Sequence, residues 1–203
     1  MDILYVIGRG STWNNNELRY SLRSIATNGV NVDRVFIVGY IPDFINREEV
    51  ICLPYEDTTS VKHYNIVKAV DFAVKNSDIG INHNGEFLYS SDDHFYIRKA
   101  DFNNYPVYWR GKMLPDRVKP EDKHPLYRRT LVSTREVLEE FGLPYYHLAW
   151  HGNTHFNANL WKTDTFQKII EKACTKPEGC DPTCLILNYK LSIDPFEFIE
   201  RKD

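Results

Sequence analysis

Cysteine is scarce in this chain. Its four residues, Cys52, Cys174, Cys180 and Cys184, are too few for a disulfide scaffold of 203 residues. Three of them crowd near the C-terminal end at C-x5-C-x3-C spacing. Structural zinc sites build on C-x2-4-C pairs and four ligands, so free thiols are expected and no zinc is assigned. No apolar run approaches the roughly 18 to 20 residues of a membrane helix, which excludes a spanning segment. Ten Gly and ten Pro without a repeat exclude collagen-like and low-complexity chains. The opening MDILYVIGRG has no basic n-region, apolar core and cleavage site, so a cytoplasmic location is expected.

The chain does have enough apolar residues, 42%, to bury one sizeable α/β core, and a single domain over 1–203 is expected. Ile3 to Gly8 is a nearly continuous apolar run ending in glycine, as in a strand buried on both faces. Asn14 with Glu17 resembles a capping box, and Leu18, Leu22 and Ile25 recur at helical spacing. Arg34 to Tyr40 and Val50 to Tyr55 read as two further strands, Ser60 to Asn76 as a helix, and Glu86 to Ser91 as a strand. This alternation predicts a mostly parallel central sheet flanked by helices. After Phe95 the pattern breaks into short extended pieces and a Pro- and charge-rich stretch from Leu114 to Tyr127. A helix capped by Ser133 and Glu136 and a last helix from Asp164 to Lys172 follow. Residues 1–97 therefore read as a nucleotide-binding half and 98–203 as a mixed α+β elaboration on the acceptor side.

The strongest chemical signal is SSDDHF, where Asp92 and Asp93 stand at the end of a strand. Ligands of open α/β sheets bind beyond the carboxyl ends of the strands, so these carboxylates are placed to hold Mg²⁺ or Mn²⁺ on a diphosphate. An Asp-Asp pair there can also be a plain turn or helix cap. Gly8, Gly10 and Ser11 form a turn into the first helix whose backbone N–H groups suit phosphate, or an ordinary β-to-α turn. Neither a GK[ST] sequence nor a third glycine follows, which sets aside ATPase and dehydrogenase readings. Arg19 and Arg23, one turn apart, can clamp a diphosphate or pair with surface carboxylates. Lys62 and Asn65, also one turn apart, can reach a donor or form a solvated face.

GRGSTWNNNELRYSLRSI, RVFIVGYIPDF, KHYNIVKAV and EFLYSSDDHFYI, in that order over roughly residues 1 to 160, resemble the core of the Stealth-type sugar-phosphate transferases and their small phage-encoded glycosyltransferase-like relatives. The resemblance implies a GT-A-like nucleotide-sugar fold, with Asp92 and Asp93 as the metal and diphosphate site. Ser91 stands where the family has Asn. The family's later histidine motif falls on HGNTHFN, which implies His151 as the base, with Asn153 in place of the usual proline and His155 as competitor. In the residues themselves, His151 lies in a polar loop where an imidazole can take a proton from an acceptor hydroxyl, or can serve in packing.

From Arg98 to Arg135 ten basic residues face four acidic ones, a local +6 in a chain of net −3. Tyr105, Tyr108 and Trp109 adjoin that stretch, a pattern that suits an anionic acceptor surface as well as core packing. The expectation is a metal-dependent glycosyltransferase using a nucleotide-sugar donor and a hydroxyl acceptor, either a glycan or a modified base in nucleic acid. Its alternatives are a Stealth-like sugar-phosphate transferase and a non-catalytic nucleic-acid or glycan-binding module.

Overall fold

The computed structural model describes residues 1–148 and 153–200. In chain order the elements are β1 (Asp2–Ile7), α1 (Asn16–Asn28), β2 (Gly29–Val30), β3 (Val35–Gly39), β4 (Val50–Pro54), α2 (Lys62–Asn76), β5 (Glu86–Ser90), β6 (Ala100–Asp101), β7 (Tyr108–Met113), α3 (Pro125–Glu140), β8 (Tyr146–Leu148), β9 (Thr154–Asn157), α4 (Ala158–Trp161), α5 (Asp164–Ala173), α6 (Pro182–Ile193) and β10 (Ile199–Glu200). They divide into two compact units. One comprises Met1–Asp57, Ala69–Pro106 and Gly152–Asn159; the other comprises Thr58–Lys68, Val107–His151 and Leu160–Asp203. The division is interleaved, whereas the sequence pattern suggests consecutive halves meeting at residue 97.

The first unit is built on a five-stranded sheet in the order β4-β3-β1-β5-β9. β1, β3, β4 and β5 are mutually parallel, and β9 runs antiparallel along the edge of β5. β1 is apolar throughout because it is central: Ile3, Leu4 and Tyr5 have no exposed surface. Alternate residues point to opposite faces, and Ile3, Tyr5 and Ile7 join one core cluster with Leu18 and Ile25 of α1. Asp2, the one charge in β1, is fully buried. Arg34 Nε and Nη2 donate to its two oxygens at 3.0 and 2.6 Å, and the Gly80 N–H donates to Oδ2 at 2.8 Å. A buried carboxylate persists only with such partners. Gly39 ends β3 at φ +107°, and a Cβ there would stand 2.2 Å from the Ile7 carbonyl oxygen. Only glycine lets the chain turn so close to β1.

The helix starts differ from the sequence reading. α1 begins at Asn16, and its N-cap, Asn15, is left-handed and makes no side-chain cap bond. Ser11 Oγ instead accepts from the Asn15 N–H at 2.9 Å and from the Trp13 N–H at 3.2 Å, which replaces the expected Asn14–Glu17 box. α3 begins at Pro125, with proline in its first turn, so Ser133 lies buried inside the helix and caps nothing.

The second unit holds the sheet β10-β7-β8 and α3, α5 and α6. α6 is buried from Cys184 to Tyr189 without interruption. Asn188 on it accepts from the Tyr146 N–H and donates to the Tyr146 carbonyl, standing in for a neighbouring strand at β8. Among the described residues no helix is long and apolar enough to cross a membrane.

Candidate functional site

Strand order decides where a ligand can enter. From β1 the chain steps to β3 and then β4 on one side, and returns to β5 on the other. The loops leaving the carboxyl ends of β1 and β5 therefore diverge and leave a crevice, the usual ligand position of open α/β sheets. Asp92 and Asp93 follow β5 directly, with Asp92 half-buried and Asp93 exposed. Beyond the ends of β1, β3 and β4 lies a cavity of about 420 Å³. Ile7, Gly39 and Pro54, the last residues of those strands, line it together with Gly8, Arg9, Tyr40, Arg47, Tyr55 and Asp57. Arg9 lies over the Tyr40 ring at 5.1 Å. Because the four strands are parallel, the cavity and the two aspartates share one sheet edge, with Gly8 at the head of the loop between them.

The loop carrying the aspartates is held by Asn153, a residue the sequence reading gave no role. Asn153 is 2% exposed. Its Oδ1 accepts from the Ser91 N–H at 3.2 Å and meets His94 Nδ1 at 2.9 Å, and its Nδ2 donates to the Tyr96 hydroxyl in a close contact. A backbone N–H can only donate, so the amide orientation is set and His94 donates to the same oxygen from Nδ1. A second tie runs from beneath: the Tyr5 hydroxyl donates to Ser21 Oγ, which donates to the His94 carbonyl, both at 2.7 Å. Burial raises the Tyr5 phenol to about 12, with Asp92 adding to the rise, so it stays a neutral donor. Residues 91 to 96 are thus clamped on both sides of the aspartates. In the sequence Asn153 stands out only as the replacement for the histidine motif's usual proline, and nothing there points to a clamp.

The remaining candidates are dispersed. Gly8 and Gly10 keep φ values open to any residue, and a Cβ on Gly10 would meet no atom within 4 Å. Ser11 is engaged in the turn before α1. Arg19 lies over the Phe44 ring at 4.3 Å, and with Arg23 it lines a separate groove of about 740 Å³ that reaches Val35 and Val50 at the amino ends of β3 and β4. In the second unit Lys62 is exposed, whereas Asn65 is buried and locked to Thr59, accepting from its N–H and donating to its carbonyl. His151 lies outside the described residues. His155 is buried mid-strand in β9 opposite Leu88, with Nδ1 3.7 Å from Glu86 Oε2. In the basic stretch Arg128, Arg129 and Arg135 pair with Asp122, Glu178 and Glu139. Trp109 packs edge-on against Tyr146 and Phe198.

Among the described residues no group of three or more His, Cys, Asp or Glu side chains can hold a metal ion. The end of β5 offers two carboxylates. Mg²⁺ and Mn²⁺ sites built on one or two carboxylates, waters and substrate phosphates need no more, so the donor set fits a cation shared with a diphosphate.

No family model matches the chain, and no curated protein matches it. Among solved structures it is similar to the apo form of mouse xyloside xylosyltransferase 1, at 10% identity and TM-score 0.46, covering 98% of this chain and 85% of that one. At that distance the likeness carries no weight for activity, and the Stealth resemblance gains no support from these comparisons.

Proposed function

We propose that the protein is a nucleotide-sugar-dependent transferase whose donor lies along the carboxyl edge of the first unit's sheet. The observation that supports this reading is that a cavity of nucleoside size at the ends of β1, β3 and β4, and a clamped pair of aspartates at the end of β5, lie on the same carboxyl edge of one parallel sheet. In this reading Tyr40 and Tyr55 flank the base, Asp57 accepts from ribose hydroxyls, and Arg9 and Arg47 offer positive charge to the phosphates. Asp92 and Asp93 hold Mg²⁺ or Mn²⁺, which when bound neutralises charge developing on the leaving diphosphate. His94, held at Nδ1 by Asn153, is the candidate base among the described residues, and His151 is its rival. The acceptor is a hydroxyl compound, with glycan the first class to test.

The test is thermal unfolding with UDP-, GDP-, ADP- and CMP-sugars, with and without Mn²⁺. At a hundredfold excess over Kd a donor stabilises by about 2.7 kcal/mol, and a cation-dependent rise with one nucleotide, lost in Asp93→Ala, is expected. Released nucleoside diphosphate means glycosyl transfer, and released monophosphate means sugar-phosphate transfer. No rise with any donor refutes the reading and makes nucleic acid and glycan binding the next measurements.

A further inference from the structure

The segment from His94 to Lys99 is pinned along α1 by a ladder of bonds. Ser21 Oγ donates to the His94 carbonyl, the Tyr96 N–H donates to Ser24 Oγ, and Asn28 Nδ2 donates to the Tyr96 carbonyl. Lys99 Nζ closes the ladder on the Thr27 carbonyl at 2.7 Å. The helical partners recur every three to four residues, so one face of α1 holds the strap along its length. Within the strap Tyr96 is buried, while Phe95 is 48% and Ile97 93% exposed. The strap does not end there. Tyr20 packs edge-on to Phe95 at 6.5 Å and stacks on Trp13 at 5.5 Å, and both rings are about half exposed. Single exposed apolar side chains are ordinary, but three exposed rings in mutual contact, with Ile97 two residues farther along the strap, make a contact surface.

We propose that this surface docks the protein peripherally on an anionic lipid bilayer, with Ile97 and Phe95 entering the acyl boundary and Trp13 and Tyr20 at the level of the headgroups. Three features select that occupant. Ile97 is an aliphatic tip that offers no flat face to a sugar or a base, and hydrocarbon is the medium in which it loses most contact with water. Trp and Tyr are the residues that favour the bilayer interface. Arg23, which lies over the Tyr20 ring at 6.0 Å, and Arg98 and Lys99, next to Ile97 in the chain, are all exposed; against the exposed Asp93 at the head of the strap they leave a positive excess that matches anionic headgroups and would repel itself across a symmetric self-interface. The binding is of the surface class, needing no spanning helix. The inference rests on the strap alone and stands apart from the proposed donor chemistry. If both hold, Asp92 and Asp93, at the head of the same strap, work beside the lipid surface.

The experiment is co-sedimentation of the full chain with phosphatidylcholine vesicles, with and without phosphatidylglycerol, at low and high salt. Binding to the phosphatidylglycerol vesicles that weakens with salt is expected. Ile97→Asp should lower it roughly tenfold or more, and Arg98→Glu about fivefold or more. Both positions are exposed, and unchanged thermal unfolding verifies that each variant folds. Sedimentation velocity and retention of single-stranded oligonucleotide are measured in parallel. Absence of vesicle binding, vesicle binding indifferent to Ile97→Asp, or an Ile97-dependent dimer or oligonucleotide complex without vesicle binding would each overturn the proposal. Donor-induced stabilisation is read separately, so loss of one activity is distinguishable from loss of the other.

Discussion

Replacing Asn153 by Ala tests the clamp on the aspartate loop. The change removes an acceptor from the Ser91 N–H and His94 Nδ1 and a donor from the Tyr96 hydroxyl. Each buried polar group left unmatched costs about 1 to 3 kcal/mol; with Ser91 and His94 only half-buried, the lower figure applies and the sum is about 3 kcal/mol. In a chain of this length that corresponds to a fall of roughly 6 to 12 °C in the unfolding midpoint. Tyr96→Phe alone leaves one amide hydrogen unmatched and costs about 1 kcal/mol. Since the two residues share that bond, the double variant should lose less than the sum of the singles, by about 2 kcal/mol. Urea unfolding of the four proteins supplies the cycle. A midpoint for Asn153→Ala within about 2 °C of wild type, or strict additivity with Tyr96→Phe, would show that the clamp does not hold the loop.

Three further outcomes are expected. His147 is 2% exposed, and burial together with Arg110, Lys112 and Arg128 lowers its pKa to about 4 against the opposing pull of Asp181. Below about pH 6.5 the unfolded chain therefore takes a proton that the folded chain refuses, and stability falls by about 2 kcal/mol between pH 7 and pH 5; urea midpoints at the two pH values check this, and His147→Phe should flatten the difference. Asp2→Ala strips Arg34 and the Gly80 N–H of their buried partner and should cost about 3 kcal/mol in the same assay, with a loss below about 1 kcal/mol counting against the clasp. Gly39→Ala drives a methyl group into the Ile7 carbonyl and should cost at least about 2 kcal/mol while disturbing the cavity wall, seen as lower stability and loss of the nucleotide binding proposed for that cavity.

The parallel sheet was legible because its strands are buried on both faces, and runs such as ILYVI and VFIVG carry that burial openly. α6 was missed for the converse reason: CLIL is apolar on every side, so it has no amphipathic period, although Asp181 and Pro182 supply a helix start. Ser133 and Glu136 have capping spacing, but local spacing cannot tell a first turn from a third. At the site, Asp92 and Asp93 were readable from their place after a strand. Spacing also put Arg19 and Arg23 on one helix stripe, but it could not say that Phe44 and the amino ends of β3 and β4 would face that stripe. Asn153 acts through partners some sixty residues away, and such partners leave no trace in local pattern.

The antiparallel edge strand β9 has a consequence for how the molecule comes into being. During synthesis, β1, β3, β4 and β5 are all in hand by residue 90, but β9 starts at Thr154 and the clamp residue precedes it by one position. Closing that long loop is the slow, non-local step of the first unit. A nascent or truncated chain lacking it can pair four strands and still present Asp92 and Asp93 on an untethered loop. Competence to bind a ligand at the crevice should accordingly come only once Asn153 and β9 have been made, well after the four parallel strands can first pair.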